Sequence, residues 1–248
     1  MDEVEVVVAH SERATLRVGD VFLKVDGDQA RIDVEIEAMS LAPVPTPEIL
    51  WCKPPVLAIA ALAGTTLGRL GGPSTGSPAA WAAAGAAIRT LHDAPLPSWQ
   101  GRAGRSVVAL AAELDVECEL LVTNGVLPAD LVARNRQVAE AALRPRTPAF
   151  THGDLQIAHV FVRDDEVTGI IDWSEAGRGD ALYDLATFTL GREERLDDVI
   201  AGYGTGIDLD VIHAWWSLRS LLAVRWLVEH GFDPFAPGCE VDVLRSRM

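Results

Sequence analysis

Thr151-His152-Gly153-Asp154-Leu155-Gln156-Ile157-Ala158-His159, followed by Gly169-Ile170-Ile171-Asp172-Trp173, is the stretch from which the chain can be read. Two short apolar runs, His159 to Val162 and Val167 to Ile171, flank the polar turn Arg163-Asp164-Asp165-Glu166, a pattern that predicts a β-hairpin. One aspartate stands in the loop just before that hairpin and another just after it, so Asp154 and Asp172 come to the same end. Taken singly, Asp154 reads better as a turn residue capping the hairpin, and Asp172 as a helix N-cap. As a pair they suit phosphoryl transfer: one carboxylate orients an acceptor hydroxyl and takes its proton, while the other holds Mg²⁺ against the phosphates.

Outward from the hairpin the pattern divides in two. Upstream, Val4 to Ala9 and Ala14 to Val18 read as strands, and Gly19-Asp20 turns the chain into a third, Val21 to Val25. A helix is expected from about Ala30 to Leu41, stopped by Pro43, Pro45 and Pro47. Ile49 to Cys52 and Val56 to Ala60 are two more short strands. Beyond Gly64 the period becomes helical: Ala79 to His92, Ser106 to Leu114, Pro128 to Leu143, Ala181 onward, and a Trp- and Leu-rich segment from about Asp208 to His230. Strands first and helices after give a two-lobed α+β plan. The boundary is expected near Ala61 to Gly64, with residues 1–62 as the small lobe and 63–248 as the large one.

Composition narrows the partners. The 248 residues carry 21 basic against 36 acidic side chains, a net charge of −15. Such a surplus repels phosphate backbones and anionic lipid, so neither nucleic acid nor a membrane surface is an expected partner. Cys52, Cys118 and Cys239 are scattered without metal-ligand or redox spacing. No secretory pattern and no bilayer-length apolar run is read, and the cytosol is the expected location.

The His-Gly-Asp-Leu of 152–155, the Ile-Asp-Trp of 171–173, and Gly179-Asp180-Ala181-Leu182-Tyr183-Asp184-Leu185-Ala186 together resemble the aminoglycoside phosphotransferase and choline kinase-like superfamily. The resemblance runs over about 150–190 and over 16–92, and fades between about 95 and 147 and at the C-terminus. It implies a protein-kinase-like fold, with a small β-rich N-lobe and a larger helical C-lobe, and a small-molecule kinase that uses ATP or GTP with Mg²⁺. Carried over, it makes Asp154 the catalytic base and Asp172 the principal metal ligand. Lys24, in Phe-Leu-Lys-Val, resembles the strand lysine that contacts the α- and β-phosphates and pairs with a helix glutamate; the other reading is a surface lysine on an edge strand. Glu35 is the preferred partner from its distance ahead of Val44-Pro45-Thr46-Pro47, with Glu37 the competitor. Ser11, in the turn after the first strand, stands where the family covers the phosphates, and an ordinary hairpin turn is the alternative. Ile59 to Leu62, including Ala61, should be the hinge that meets the base. His152 and Asp184 are expected to support the catalytic loop, and His92 to pack and cap. The tryptophans, Trp215, Trp216 and Trp226 among them, are expected to be mostly core.

His159 departs from the family, which normally has Asn there as a second metal ligand. An imidazole nitrogen is a poorer partner for a hard cation, so Mn²⁺ enters beside Mg²⁺ as the expected metal. The acidic balance favours a cationic acceptor such as an aminoglycoside. Other small alcohols, or an impaired nucleotide-binding pseudokinase with a regulatory role, are the alternatives.

Overall fold

The computed structural model describes residues 3–9, 13–69, 72–101 and 104–247. Strands β1 (Val4–Ala9), β2 (Arg13–Val18), β3 (Val21–Asp26), β4 (Ile49–Lys53) and β5 (Val56–Ala60) form one sheet in the order β1-β2-β3-β5-β4. All its neighbours run antiparallel. Helix α1 (Gln29–Leu41) connects β3 to β4. It begins where Asp28 accepts the N–H of Ala30, just after Asp26, which holds Arg31 at 3.0 Å. Its buried residues are Ile32, Glu35, Ala38 and Met39, so one carboxylate lies on an otherwise apolar face. Glu37, on the other side, is exposed.

The rest is largely helical. It holds α2 (Pro78–His92), α3 (Val107–Thr123), α4 (Ala129–Val138) with a 3₁₀ turn behind it, α5 (Ala181–Thr189), α6 (Leu196–Tyr203), α7 (Leu209–Glu229) and α8 (Glu240–Arg245). The predicted hairpin is present as β8 (Val160–Arg163) and β9 (Glu166–Ile170). Asp164 and Asp165 turn it with φ of 55° and 65°, the left-handed pair a tight two-residue connection needs. β6 (Thr65–Thr66) extends the hairpin to three strands, and β7 (Ala149–Thr151) pairs with β10 (Gly177–Gly179) beside it. These three strands of two or three residues were not expected from the sequence. Helix α3 also runs past the expected Leu114, because no breaker precedes Asn124-Gly125, where Gly125 takes φ +66°.

Two features position the site. The main chain of Ile170 is tied to the proline segment after α1, its N–H 2.9 Å from the Pro45 carbonyl, so hairpin and sheet lobe are fastened together. Helices α2 and α6 approach so closely that a Cβ at Gly202 would lie 1.7 Å from the Ala82 carbonyl oxygen, and one at Gly85 would lie 2.1 Å from that of Val199. Trp81, Phe150, Trp173, Phe188 and Trp216 fill the core of the large lobe. Trp226 is 44% exposed, contrary to the sequence reading of it as core: it belongs to the last turn of α7, beyond the helices that cover the rest. Among the described residues no helix is long and apolar enough to cross a membrane.

Candidate active site

The sheet lobe contributes Lys24, placed in the middle of β3 and paired with Thr15 of β2 and Leu57 of β5. Its Nζ lies 2.5 Å from Glu35 Oε1 and 2.7 Å from Asp172 Oδ1, so one ammonium joins α1 to the end of the hairpin. The lysine side chain is 19% exposed and that of Glu35 only 3%. Burial pushes the Glu35 carboxyl above the usual carboxylate range, an effect the Lys24 charge only partly offsets. Burial alone would depress Lys24, but Asp172 and Glu35 keep it above its ordinary value.

Asp172 sits two residues past β9 with φ of 68°. Aspartate tolerates this left-handed backbone better than most residues, and here it turns the carboxylate back toward Lys24. Desolvation opposes its ionisation, yet Lys24 and then His159 outweigh that and hold the carboxyl well below the usual range. The carboxylate is therefore a fixed anion at neutral pH.

Asp154 lies in the loop between β7 and β8, and its neighbours account for the His152 and Gly153 that precede it. Gly153 has φ +84°, and a Cβ there would stand 2.0 Å from the Glu175 carbonyl oxygen, so only glycine fits. His152 is fully buried. It donates from Nε2 to the Ile171 carbonyl at 2.9 Å, while Nδ1 faces the Asp154 N–H at 3.3 Å. Burial lowers its pKa, which keeps the ring neutral and structural. Asp184, inside α5, accepts the N–H of His152 at 2.6 Å and of Gly153 at 2.9 Å. His92 Nε2 reaches the same carboxylate at 3.2 Å, and its Nδ1 meets the Tyr203 hydroxyl at 2.9 Å.

His159 precedes β8. Its Nδ1 is 2.8 Å from the Asp154 carbonyl, which can only accept, so Nδ1 carries a proton and donates it there. Its Nε2 lies 3.6 Å from Asp172 Oδ2. Ligand atoms of Asp154, His159 and Asp172 all fall within 4.8 Å of one another.

The remaining sequence expectations are placed as follows. Ile59 is buried inside β5, opposite Phe22 and Ile49, so its backbone belongs to the sheet. Ala61, just after the strand, gives its N–H to Asp20 at 2.8 Å. Ser11 lies outside the described residues. Three side chains near Asp154 went unread in the sequence: Gln156, Arg219 and Glu240. The available signal was Arg219 as the lone charge in the run Trp215 to Val224, since an ion in a buried helix needs a partner.

A strand lysine paired to a helix glutamate, facing two aspartates that bracket a hairpin, defines a phosphotransferase of the protein-kinase-like fold. Residues 15–216 match the model of the phosphotransferase enzyme family, and the chain belongs to that family. Its fold is similar to a thermostable mutant of aminoglycoside phosphotransferase APH(4)-Ia, with TM-score 0.72, 19% identity, and coverage of 98% of this chain and 94% of that one. A choline/ethanolamine kinase family protein from Mesorhizobium loti superposes with TM-score 0.67 at 21% identity, over 99% and 88% of the two chains. APH(2")-IIa, solved with streptomycin and ATP, does so with TM-score 0.66 at 14% identity, over 99% and 91%. An aminoglycoside 3'-phosphotransferase of Enterococcus faecalis is 49% identical over 37 residues, which span 15% of this chain and 14% of that relative.

Proposed function

We propose that the protein transfers the γ-phosphoryl group of ATP or GTP to a hydroxyl of a small molecule, with residues 1–62 as the nucleotide-binding lobe and 63–248 as the catalytic and acceptor lobe. The observation that carries this reading is the convergence of Lys24, Asp172 and Asp154 from β3, the end of β9 and the β7–β8 loop. Lys24 neutralises and positions phosphate oxygens, with Glu35 holding its ammonium in place. Asp154 orients the acceptor hydroxyl and takes its proton. Ser11 and Ala61 belong to the proposed nucleotide face.

The donor set suits a divalent cation: an ionised carboxylate of Asp172, with the His159 Nε2 3.6 Å from it. A metal held by these two residues would supply charge neutralisation for the triphosphate. Mixed nitrogen and oxygen donors favour Mn²⁺ relative to an all-oxygen site, so turnover with Mn²⁺ should at least equal that with Mg²⁺. For the acceptor, the net charge of −15 supports a cationic molecule drawn in electrostatically, and streptomycin in the APH(2")-IIa complex supports an aminoglycoside. The cytosol, where ATP and GTP are available, is the proposed location.

The test is transfer of label from γ-labelled ATP and GTP to a panel of aminoglycosides, choline and other small alcohols, with Mg²⁺ or Mn²⁺. Asp154→Asn should lower transfer by about 10²–10⁴-fold, the usual worth of a positioned proton acceptor, while nucleotide affinity is kept. Turnover within tenfold of wild type removes Asp154 from this role.

A further inference from the structure

The carboxylate that receives the acceptor's proton is itself held from behind. Gln156 Nε2 lies 3.0 Å from Asp154 Oδ1 and 3.0 Å from Oδ2, so one amide nitrogen sits astride both oxygens. From α7, Arg219 Nη2 approaches Oδ1 to 3.9 Å. Glu240, at the start of α8, holds the other arm of that guanidinium at 3.2 Å. The side chains of Arg219 and Glu240 are mostly buried, with 15% and 11% exposed.

The other end of the amide distinguishes this arrangement from ordinary packing. Gln156 Oε1 is buried and, among the described residues, has no hydrogen-bond partner. Turning the amide over would not cure this, because the carbonyl oxygen would then face the carboxylate. Its orientation is therefore dictated by Asp154. A glutamine retained for stability would be satisfied at both ends, since an orphaned buried oxygen is unfavourable. This one is satisfied only at the end that touches the base.

We infer that Gln156 is a positioning residue for the transfer. It fixes the plane of the Asp154 carboxylate, and so the direction in which its lone pairs meet the acceptor hydroxyl. The Arg219–Glu240 pair braces it by fastening α7 and α8 behind the base. The turnover arm of this inference rests on the proposed function; the spectroscopic arm does not.

Gln156→Met keeps the side chain's length and removes both polar ends. It should lower kcat at least tenfold, leave the nucleotide KM within twofold, and leave Tm unchanged or raised, because the orphaned oxygen goes with the amide. A merely structural glutamine predicts the opposite pairing, a lowered Tm with kcat retained. In ¹H–¹⁵N spectra the Gln156 side-chain amide pair, assigned by its absence from the Gln156→Met protein, should move upfield in Asp154→Ala as the charge-assisted bond is lost. An amide pair indifferent to Asp154→Ala, a kcat within threefold of wild type in Gln156→Met, or a fall in Tm that accompanies the fall in kcat overturns the inference. If no acceptor is phosphorylated by the wild type, the proposed function fails while the amide signals still decide whether Gln156 grips the base.

Discussion

At the scale of single residues, Lys24 carries two burdens that can be separated. It is the counter-charge of a buried glutamate and the proposed phosphate contact. Lys24→Met should abolish transfer and also destabilise the fold by about 3–5 kcal/mol, the usual result of stranding one member of a buried pair. Lys24→Met with Glu35→Gln should recover most of that stability and none of the activity; urea melts and transfer assays on the two proteins check this. The cysteines give a pH-dependent expectation. Burial pushes the Cys118 thiol up to about 11, so thiolate is scarce there at pH 8, whereas Cys52 is exposed. Iodoacetamide at pH 8 should label Cys52 and spare Cys118 until the protein unfolds, as peptide mass mapping would show. Much at this scale was legible because it is local: Asp154 and Asp172 bracket one hairpin, and Lys24 interrupts an apolar strand. Gln156 was in plain view two residues from Asp154, but nothing in a linear reading says which way an amide turns. Arg219 lies 65 positions beyond Asp154, and only the packing of α7 brings the two together.

Among elements, the tightest joint is that of α2 with α6. A methyl group at Gly202 would collide with main chain of α2, which cannot rotate out of the way as a side chain could. Gly202→Ala should therefore cost on the order of 3 kcal/mol, at the upper end of what overpacking does. In a domain of this size that lowers Tm by about 2–4 °C per kcal/mol. Calorimetry should show the loss, and a Tm within a degree of wild type would mean that the helices separate more easily than their backbone contact implies. The longer elements were readable because their periodicity and their stops agree: proline after α1, β-branched runs in the sheet, and Ser106 capping α3. β6, β7 and β10 were not, since two or three residues carry no period. Their pairing is set by partners distant in sequence, as Thr66 with Phe161 and Thr151 with Gly177.

Across the whole molecule, the two-part plan was visible as a change from strand to helical period, and Asp184 was expected to support the loop, but the reach of the cross-links that make the chain one body was not visible. Asp184 is the chief of them. One buried carboxylate on α5 takes the amides of the β7–β8 loop and, through His92, reaches the end of α2 and Tyr203 at the end of α6. The amides of His152 and Gly153 should therefore exchange with solvent deuterium only when the large lobe opens as a unit. Their exchange free energy should equal that of global unfolding and respond to denaturant with the same slope. A lower value would show that the loop loosens by itself. The same arrangement bears on how heat inactivates the protein. A loop tied to α5 by Asp184, and through His92 and Tyr203 to α2 and α6, should have no softening temperature of its own. Activity on warming should persist to the foot of the melting curve and then vanish with the fold.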